Sequence, residues 1–234
     1  MKKYIASVSF GKDSLAMLLK IIEMGYPLDE VVFYDTGMEF SCIYHIRDKV
    51  KVMLDQISIV YTELKPKYDF MWQMFEKPIN VGKDNYHLGY SWCGGVCRWG
   101  TRDKLDTIEK HCKGCVEYVG IAYDEPERLL KERSGTKVFP LADLGMKERD
   151  CLQYCHERGF FWEENGIELY DILDRVSCWC CCNKNLKELK NIYQFLPDYW
   201  ERLKYLQSLT PRPMKGEGKS VFDLEKRFEK ELTK

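Results

Sequence analysis

No apolar run in the 234-residue chain approaches the length needed to cross a bilayer, which excludes an ordinary membrane-spanning helix. There is no excess of positive charge either: 36 Lys and Arg against 37 Asp and Glu leave a formal net charge of −1, so no global basic field advertises nucleic acid. Low-complexity tracts and internal repeats are missing, and histidines are few. The opening Met1-Lys2-Lys3-Tyr4 leads into a strand pattern without an apolar signal segment, from which a cytoplasmic protein is expected. What remains is the composition of a globular protein, 45% hydrophobic and 31% charged, long enough for one α/β core and an appendage.

Cysteine is abundant. Eleven cysteines in a chain without a secretion signal point to metal or thiol chemistry sooner than to disulfides. They cluster as Cys93 with Cys97, Cys112 with Cys115, Cys151 with Cys155, and Cys178 with Cys180, Cys181 and Cys182; Cys42 stands apart. Cys151 and Cys155 fall one helical turn apart and read as core. Cys112 and Cys115 read as a second metal site, a redox pair or two ordinary thiols. Cys180 and Cys182 are candidates for a sulfur-carrying nucleophile, since a neighbouring metal or cation holds a cysteine as thiolate.

The order of patterns is strand, helix, strand, helix. Tyr4 to Val8 is an apolar run, followed by a helical spacing through Leu15, Leu18, Leu19 and Ile22. Glu30 to Tyr34, Ile57 to Leu64, Val116 to Ala122 and Val138 to Leu141 read as further strands. Such alternation predicts right-handed crossovers in a parallel, doubly wound α/β sheet. Residues 1–145 are expected to form this domain, 146–208 a helical cysteine-bearing region, and 209–234 a linker and terminal helix. Ser9-Phe10-Gly11-Lys12-Asp13-Ser14, at the first strand-to-helix junction, combines a glycine, two hydroxyls and a lysine at a helix N-terminus, which suits a phosphate. It is not a Walker A loop, because Ala6 and Asp13 occupy positions where that loop needs glycine and Ser or Thr.

This stretch resembles the Ser-x-Gly-x-Asp-Ser pyrophosphate loop of the PP-loop ATPases. Within that superfamily the chain is similar to the phosphoadenosine phosphosulfate (PAPS) reductase-like branch, through Asp35-Thr36-Gly37-Met38-Glu39-Phe40 after the second strand and Gly120, Glu125 and Arg128 after the fourth. Ala122 stands where that turn usually has arginine. Arg175-Val176-Ser177-Cys178-Trp179-Cys180 resembles an element of the Dnd-type DNA phosphorothioation branch, with Ser177 in place of glycine. The likeness extends from residue 1 to about residue 208.

The resemblance implies an adenine-nucleotide site at Ser9 to Ser14, Asp35, Thr36, Gly37, Gly120, Glu125 and Arg128, with Lys12, Asp13, Lys104 and Cys180 in catalytic roles. It also implies Mg²⁺ at Asp13 and Asp35, and a [4Fe-4S] cluster on Cys93, Cys97, Cys178 and Cys181, for which zinc is the alternative. The implied activity is ATP-dependent sulfur transfer to an acceptor, with reduction of an adenylyl-sulfate (APS or PAPS) as the alternative and a non-catalytic nucleotide-binding sensor with structural zinc as a further one. The absence of any cysteine after Cys182 favours the former, because the reductases carry theirs in a C-terminal tail. Expected partners are a sulfur donor, whether a protein, a small thiol or sulfide, and a nucleic-acid acceptor touched by Lys and Arg of the last helices.

Overall fold

The first strand and helix decide where everything else in the sheet domain goes. The structure, a computed structural model, describes residues 2–92, 97–132 and 136–233, with the side chains of Trp99 and Glu132 excepted. Strand β1 (Tyr4–Val8), helix α1 (Lys12–Glu23), β2 (Glu30–Tyr34), α2 (Ser41–Gln56) and β3 (Val60–Leu64) build one side of a sheet. Short strands β4 (Pro78–Ile79) and β5 (His87–Leu88) form a separate antiparallel pair. Then α3 (Asp103–His111), β6 (Val116–Val119), α4 (Pro126–Glu132), β7 (Lys137–Val138), α5 (Pro140–Asp143) and α6 (Glu148–His156) complete the main sheet, whose order is β3-β2-β1-β6-β7 with every pairing parallel. This is the doubly wound α/β architecture. Every residue of β2 is buried, as a strand covered on both faces must be.

The chain divides into two compact units. The first comprises residues 1–35, 41–65 and 104–162 and contains the main sheet. The second gathers residues 36–40, 66–103 and 163–234. It holds β4, β5, the hairpin β8 (Glu163–Glu164) and β9 (Ile167–Glu168), α7 (Leu169–Ile172), α8 (Leu186–Phe195), α9 (Pro197–Ser208) and α10 (Val221–Leu232). Helix α6 joins the first unit because it packs on α1: the Tyr154 hydroxyl donates to Glu23, and Cys155 Sγ lies 3.6 Å from the Lys12 carbonyl.

Several element ends differ from their sequence reading for local reasons. The third strand starts at Val60 because Ser58 takes a left-handed φ of 56°. The strand expected over Val138 to Leu141 ends at Val138, since Pro140 suits the first turn of a helix. Phe70 to Phe75, read as helical core, gives a five-residue π-helical turn, Trp72–Glu76, with Phe70 and Met74 buried. The expected linker after residue 208 is tied down by buried Gln207. Its Nε2 donates to the Thr210 and Arg212 carbonyls at 3.0 Å each, and its Oε1 accepts from Met214 N at 3.1 Å and Val221 N at 3.3 Å. Beyond it α10 buries Val221, Leu224 and Phe228, as its amphipathic spacing predicts. No helix among the described residues is long and apolar enough to cross a membrane.

Two consequences follow for stability. Phe33 is fully buried with its ring 4.9 Å from that of Phe10, so Phe33→Ala is expected to lose about 3–5 kcal/mol in chemical denaturation. Glu30 is buried in β2; burial opposes its ionisation, but hydrogen bonds from Lys3, Thr62 and His111 outweigh this and hold its carboxyl below the ordinary value. A depressed carboxylate contributes stability above its unfolded pKa and loses it as pH falls through the folded one. Glu30→Gln is thus expected to flatten the acid limb of a stability–pH profile below about pH 4; an unchanged limb would remove Glu30 from it.

Candidate functional site

In an open parallel sheet the ligand crevice lies beyond the carboxyl ends of the strands where the strand order reverses. Here that is the junction of β1 and β6, which are paired with Ser7 opposite Val119. Two turns meet there. The first, Ser9 to Gly11, leads into α1; Phe10 sits at φ 57°, a conformation non-glycine residues seldom adopt. It is held by burial of its ring and by Trp162 Nε1 donating to its carbonyl at 2.8 Å. Gly11 caps the helix with extended backbone and no side-chain cap. Ser14 braces the turn: its Oγ accepts from Ser9 N at 3.1 Å, donates to the Gly11 carbonyl at 3.1 Å and lies 3.1 Å from Ser9 Oγ. The first amides of α1, which have no carbonyl one turn back to bond, thus face the same spot as the positive end of the helix dipole.

The second turn follows β6. A Cβ on Gly120 would sit 2.6 Å from Ser14 Cα and 2.9 Å from both Asp13 O and Ser14 N, so only glycine lets this backbone lie against the first turn of α1. Ala122, which stands where the resembling turn has arginine, is fully buried. The turn also sets the start of α6, with Asp124 Oδ1 accepting from Glu148 N at 3.0 Å and Tyr123 N donating to Met146 O at 2.8 Å.

That placement brings in a residue the sequence did not single out. Glu148 Oε2 lies 2.6 Å from Lys12 Nζ, while both Asp13 oxygens lie 3.2 Å from it. Burial weakens the charge of Lys12, yet Asp13 and Glu148 outweigh it and raise its pKa, so Lys12 is a buried cation. Asp13 is pushed up, first by burial and then by Glu148 and Glu125, against the pull of Lys12. Of the other expected nucleotide residues, Asp35 Oδ1 accepts from the Tyr44 hydroxyl at 2.9 Å. Glu125 and Arg128 pair with one another at 2.6 and 2.8 Å. Lys104 is the second residue of α3 and half-buried. Thr36 and Gly37 belong to the second unit, where Thr36 Oγ1 donates to Glu39 at 2.8 Å and Gly37 takes φ 75°.

The second unit gathers the other chemistry. Cys93 lies outside the described residues. Cys97, Cys178 and Cys181 all line one cavity of about 150 Å³. Gly100 sits between two of them: a Cβ there would come 3.6 Å from Cys97 Sγ and 3.9 Å from Cys178 Sγ, in ordinary contact with both, and Cys178 Sγ lies 3.7 Å from Glu39 Oε1. Cys178 and Cys181 are held on one turn by Cys181 N donating to Cys178 O at 3.1 Å, and Trp179 N fixes that turn to Met38 O at 3.0 Å. Among the described residues, Cys97, Cys178 and Cys181 included, no three His, Cys, Asp or Glu side chains stand close enough together to hold a metal; these three cysteines share a cavity without converging on one point.

Cys180 is buried; burial, reinforced by Cys178 and Cys181, pushes its thiol well up, which is the protonated form and not a thiolate. Cys112 is likewise pushed up to about 12 by burial and Glu117, and Cys155 to about 12 by burial and Asp13, as inert core thiols are. Lys184, also unremarked in the sequence, is buried with Nζ 3.3 Å from the Arg175 carbonyl and 5.4 Å from the centre of the Phe40 ring. Burial lowers its pKa, and Glu188 with Cys181, Cys178 and Cys180 favours its charge. Its signal was available only as a lysine closing a cysteine run.

Residues 3–98 match the family model of the phosphoadenosine phosphosulfate reductase domain. The chain is 23% identical over 242 residues to the uncharacterized protein MJ0066 of Methanocaldococcus jannaschii; the match takes in 93% of this chain, which spans 44% of that relative's length. Among solved structures, the U34-tRNA thiolase NcsA from Methanococcus maripaludis with its [4Fe-4S] cluster aligns over 99% of this chain and 73% of its own, at a TM-score of 0.45 and 15% identity.

The Gly120 contact is testable by itself. Because the nearest atoms are backbone, Gly120→Ala is expected to cost about 1–3 kcal/mol in a denaturation midpoint, as overpacking does. A midpoint equal to that of the unsubstituted chain would mean the two turns can part freely.

Proposed function

As a PAPS reductase-like PP-loop protein over residues 3–98, we propose, this chain binds ATP at the β1–α1 turn and activates an acceptor for sulfur transfer. The observation that carries this reading is the junction of β1 and β6, where a helix N-terminus, the Gly120 turn and the buried Lys12 cation share one place. Lys12 would exchange part of its carboxylate pairing for phosphate oxygens, and amides of Gly11 to Ser14 would hold the rest. Asp13 and Asp35 would meet Mg²⁺, since a carboxylate beside polyphosphate needs a cation between them. Thr36, Gly37, Glu125, Arg128 and Lys104 are the remaining nucleotide and catalytic residues of the proposal.

In the proposed reaction an acceptor oxygen attacks the α-phosphate, a P–O bond forms and pyrophosphate leaves. A sulfur nucleophile then displaces AMP, so that a C–S bond replaces the C–O bond and no net redox change is needed. Sulfide, or a donor protein that delivers sulfur at the sulfide level, closes this balance directly; a small thiol would form a C–S–R linkage whose S–R bond must then be cleaved. Cys97, Cys178 and Cys181, which line one cavity, would with Cys93 hold the metal centre, and their side chains would have to draw together to do so. A [4Fe-4S] cluster there would supply iron to engage sulfur; four thiolates also suit zinc. Cys180 would serve as sulfur carrier only with a cation to hold its thiolate.

Purified without oxygen, the protein is expected to carry iron and acid-labile sulfide with broad absorbance near ~400 nm, and Cys97→Ser or Cys178→Ser to lose most of both. Zinc without sulfide would overturn the cluster. Calorimetric ATP affinity is expected to fall at least about tenfold in Gly11→Val, whose branched side chain crowds the anion site. Sulfite release from an adenylyl-sulfate would replace sulfur transfer with reduction.

A further inference from the structure

Resting on the sulfur-transfer reading for its biological sense but not for its geometry, we infer that the second unit carries a docking surface for single-stranded nucleic acid, which makes an unpaired base the acceptor class. Between residues 67 and 98 cations and aromatic rings alternate in space. Tyr68 stacks on Trp72 with centroids 4.1 Å apart and planes at 27°. Lys67 stands 5.2 Å over Tyr68, Lys77 stands 5.8 Å over Trp72 and 5.0 Å over Tyr90, and Arg98 stands 4.9 Å over Tyr90. Lys67, Tyr68 and Arg98 are exposed, and Trp72, Lys77 and Tyr90 half-buried, so the row is held in place yet reachable.

Isolated cation–aromatic pairs are common and mean little. This row differs in running into a cavity with chemistry in it. Ser91 and Trp92 follow Tyr90, Cys97 precedes Arg98, and Ser91, Trp92 and Cys97 line the cysteine cavity together with Phe70 and Met74. Trp92 is only 4% exposed, and among the described residues its Nε1 has no hydrogen-bond partner. A buried donor left unpaired points to a missing acceptor, and the carbonyl of an inserted base supplies one. A second, open cavity of about 600 Å³ shares Trp92 and adds exposed Arg212, a cation suited to a flanking phosphate, while Lys215 Nζ beside it is taken up by the Cys182 and Lys184 carbonyls at 2.8 Å each.

Rings that stack with bases and cations that take phosphates are the two components of single-strand binding, and stacking requires bases not already paired. A net charge of −1 gives no general attraction for duplex DNA, so recognition here is local. One phosphate on each of Lys67, Lys77, Arg98 and Arg212 predicts a slope of about −3 in log affinity against log salt on a single strand.

The test is fluorescence anisotropy of the full chain with labelled single-stranded RNA and DNA of about 12 nucleotides, and with the matching duplexes. Either single strand is expected to bind, with the duplex at least about tenfold weaker; RNA against DNA then identifies the polymer. Tyr68→Ala and Lys77→Gln are each expected to weaken binding roughly tenfold, with circular dichroism unchanged. Absence of single-strand binding, duplex binding of equal strength, or full affinity in both variants would overturn the surface. Gly11→Val is expected to bind strands normally, so loss of ATP binding and loss of strand binding are separable. Strand binding by a protein that never binds ATP would sink the sulfur-transfer reading and leave the surface standing.

Discussion

The close approach of two backbones at Gly120 and Ser14 is the constraint on which the sheet domain's site depends. With no side chain at 120, the exit of β6 lies against the first turn of α1, and the strand-order reversal becomes a shaped place instead of a gap. Phe10 answers the same constraint from the other side. Its left-handed backbone is unfavourable for an aromatic residue, and burial of the ring together with the Trp162 bond offsets it. Strain, glycine and buried ring are thus one device that fixes where the helix N-terminus points.

Charge is handled differently in the two units, by one physical rule. Burial penalises every ionised group, and what survives as charge is what has partners. Lys12 stays a cation because Asp13 and Glu148 surround it. Cys180, among other cysteines and Glu39, has none of these compensations and is driven toward the neutral thiol. Lys184 lies between these cases, its burial opposed by Glu188 and by the same cysteines.

Much of the sheet was readable because its signals are local. The apolar run Val31 to Tyr34 of β2, a glycine and two serines after β1, and the 3.6-residue spacing of α1 each depend on a few neighbouring residues. The cysteine run at 178–182 and the lone glycines at 11 and 120 were legible as chemistry for the same reason. The division into units was not legible, because residues 36–40 leave the sheet in mid-connection and α6 returns to it. Nor was the order of the linker at 210–218, since a single buried amide, that of Gln207, replaces the regular structure its composition lacks.

By itself the sequence determined the parallel alternation of strands and helices, the phosphate-suited turn and the wealth of clustered thiols, since each is written in spacing and residue type. Tertiary structure alone decided that Glu148 meets Lys12, that Ala122 is fully buried, that Cys97 and Cys178 flank Gly100, and that Trp92 keeps a buried donor beside the cysteine cavity. Those facts join residues up to 136 positions apart, and no local pattern fixes such a pairing. It follows from the packing of whole elements, where burial, and not sequence distance, sets which charges and donors must find one another.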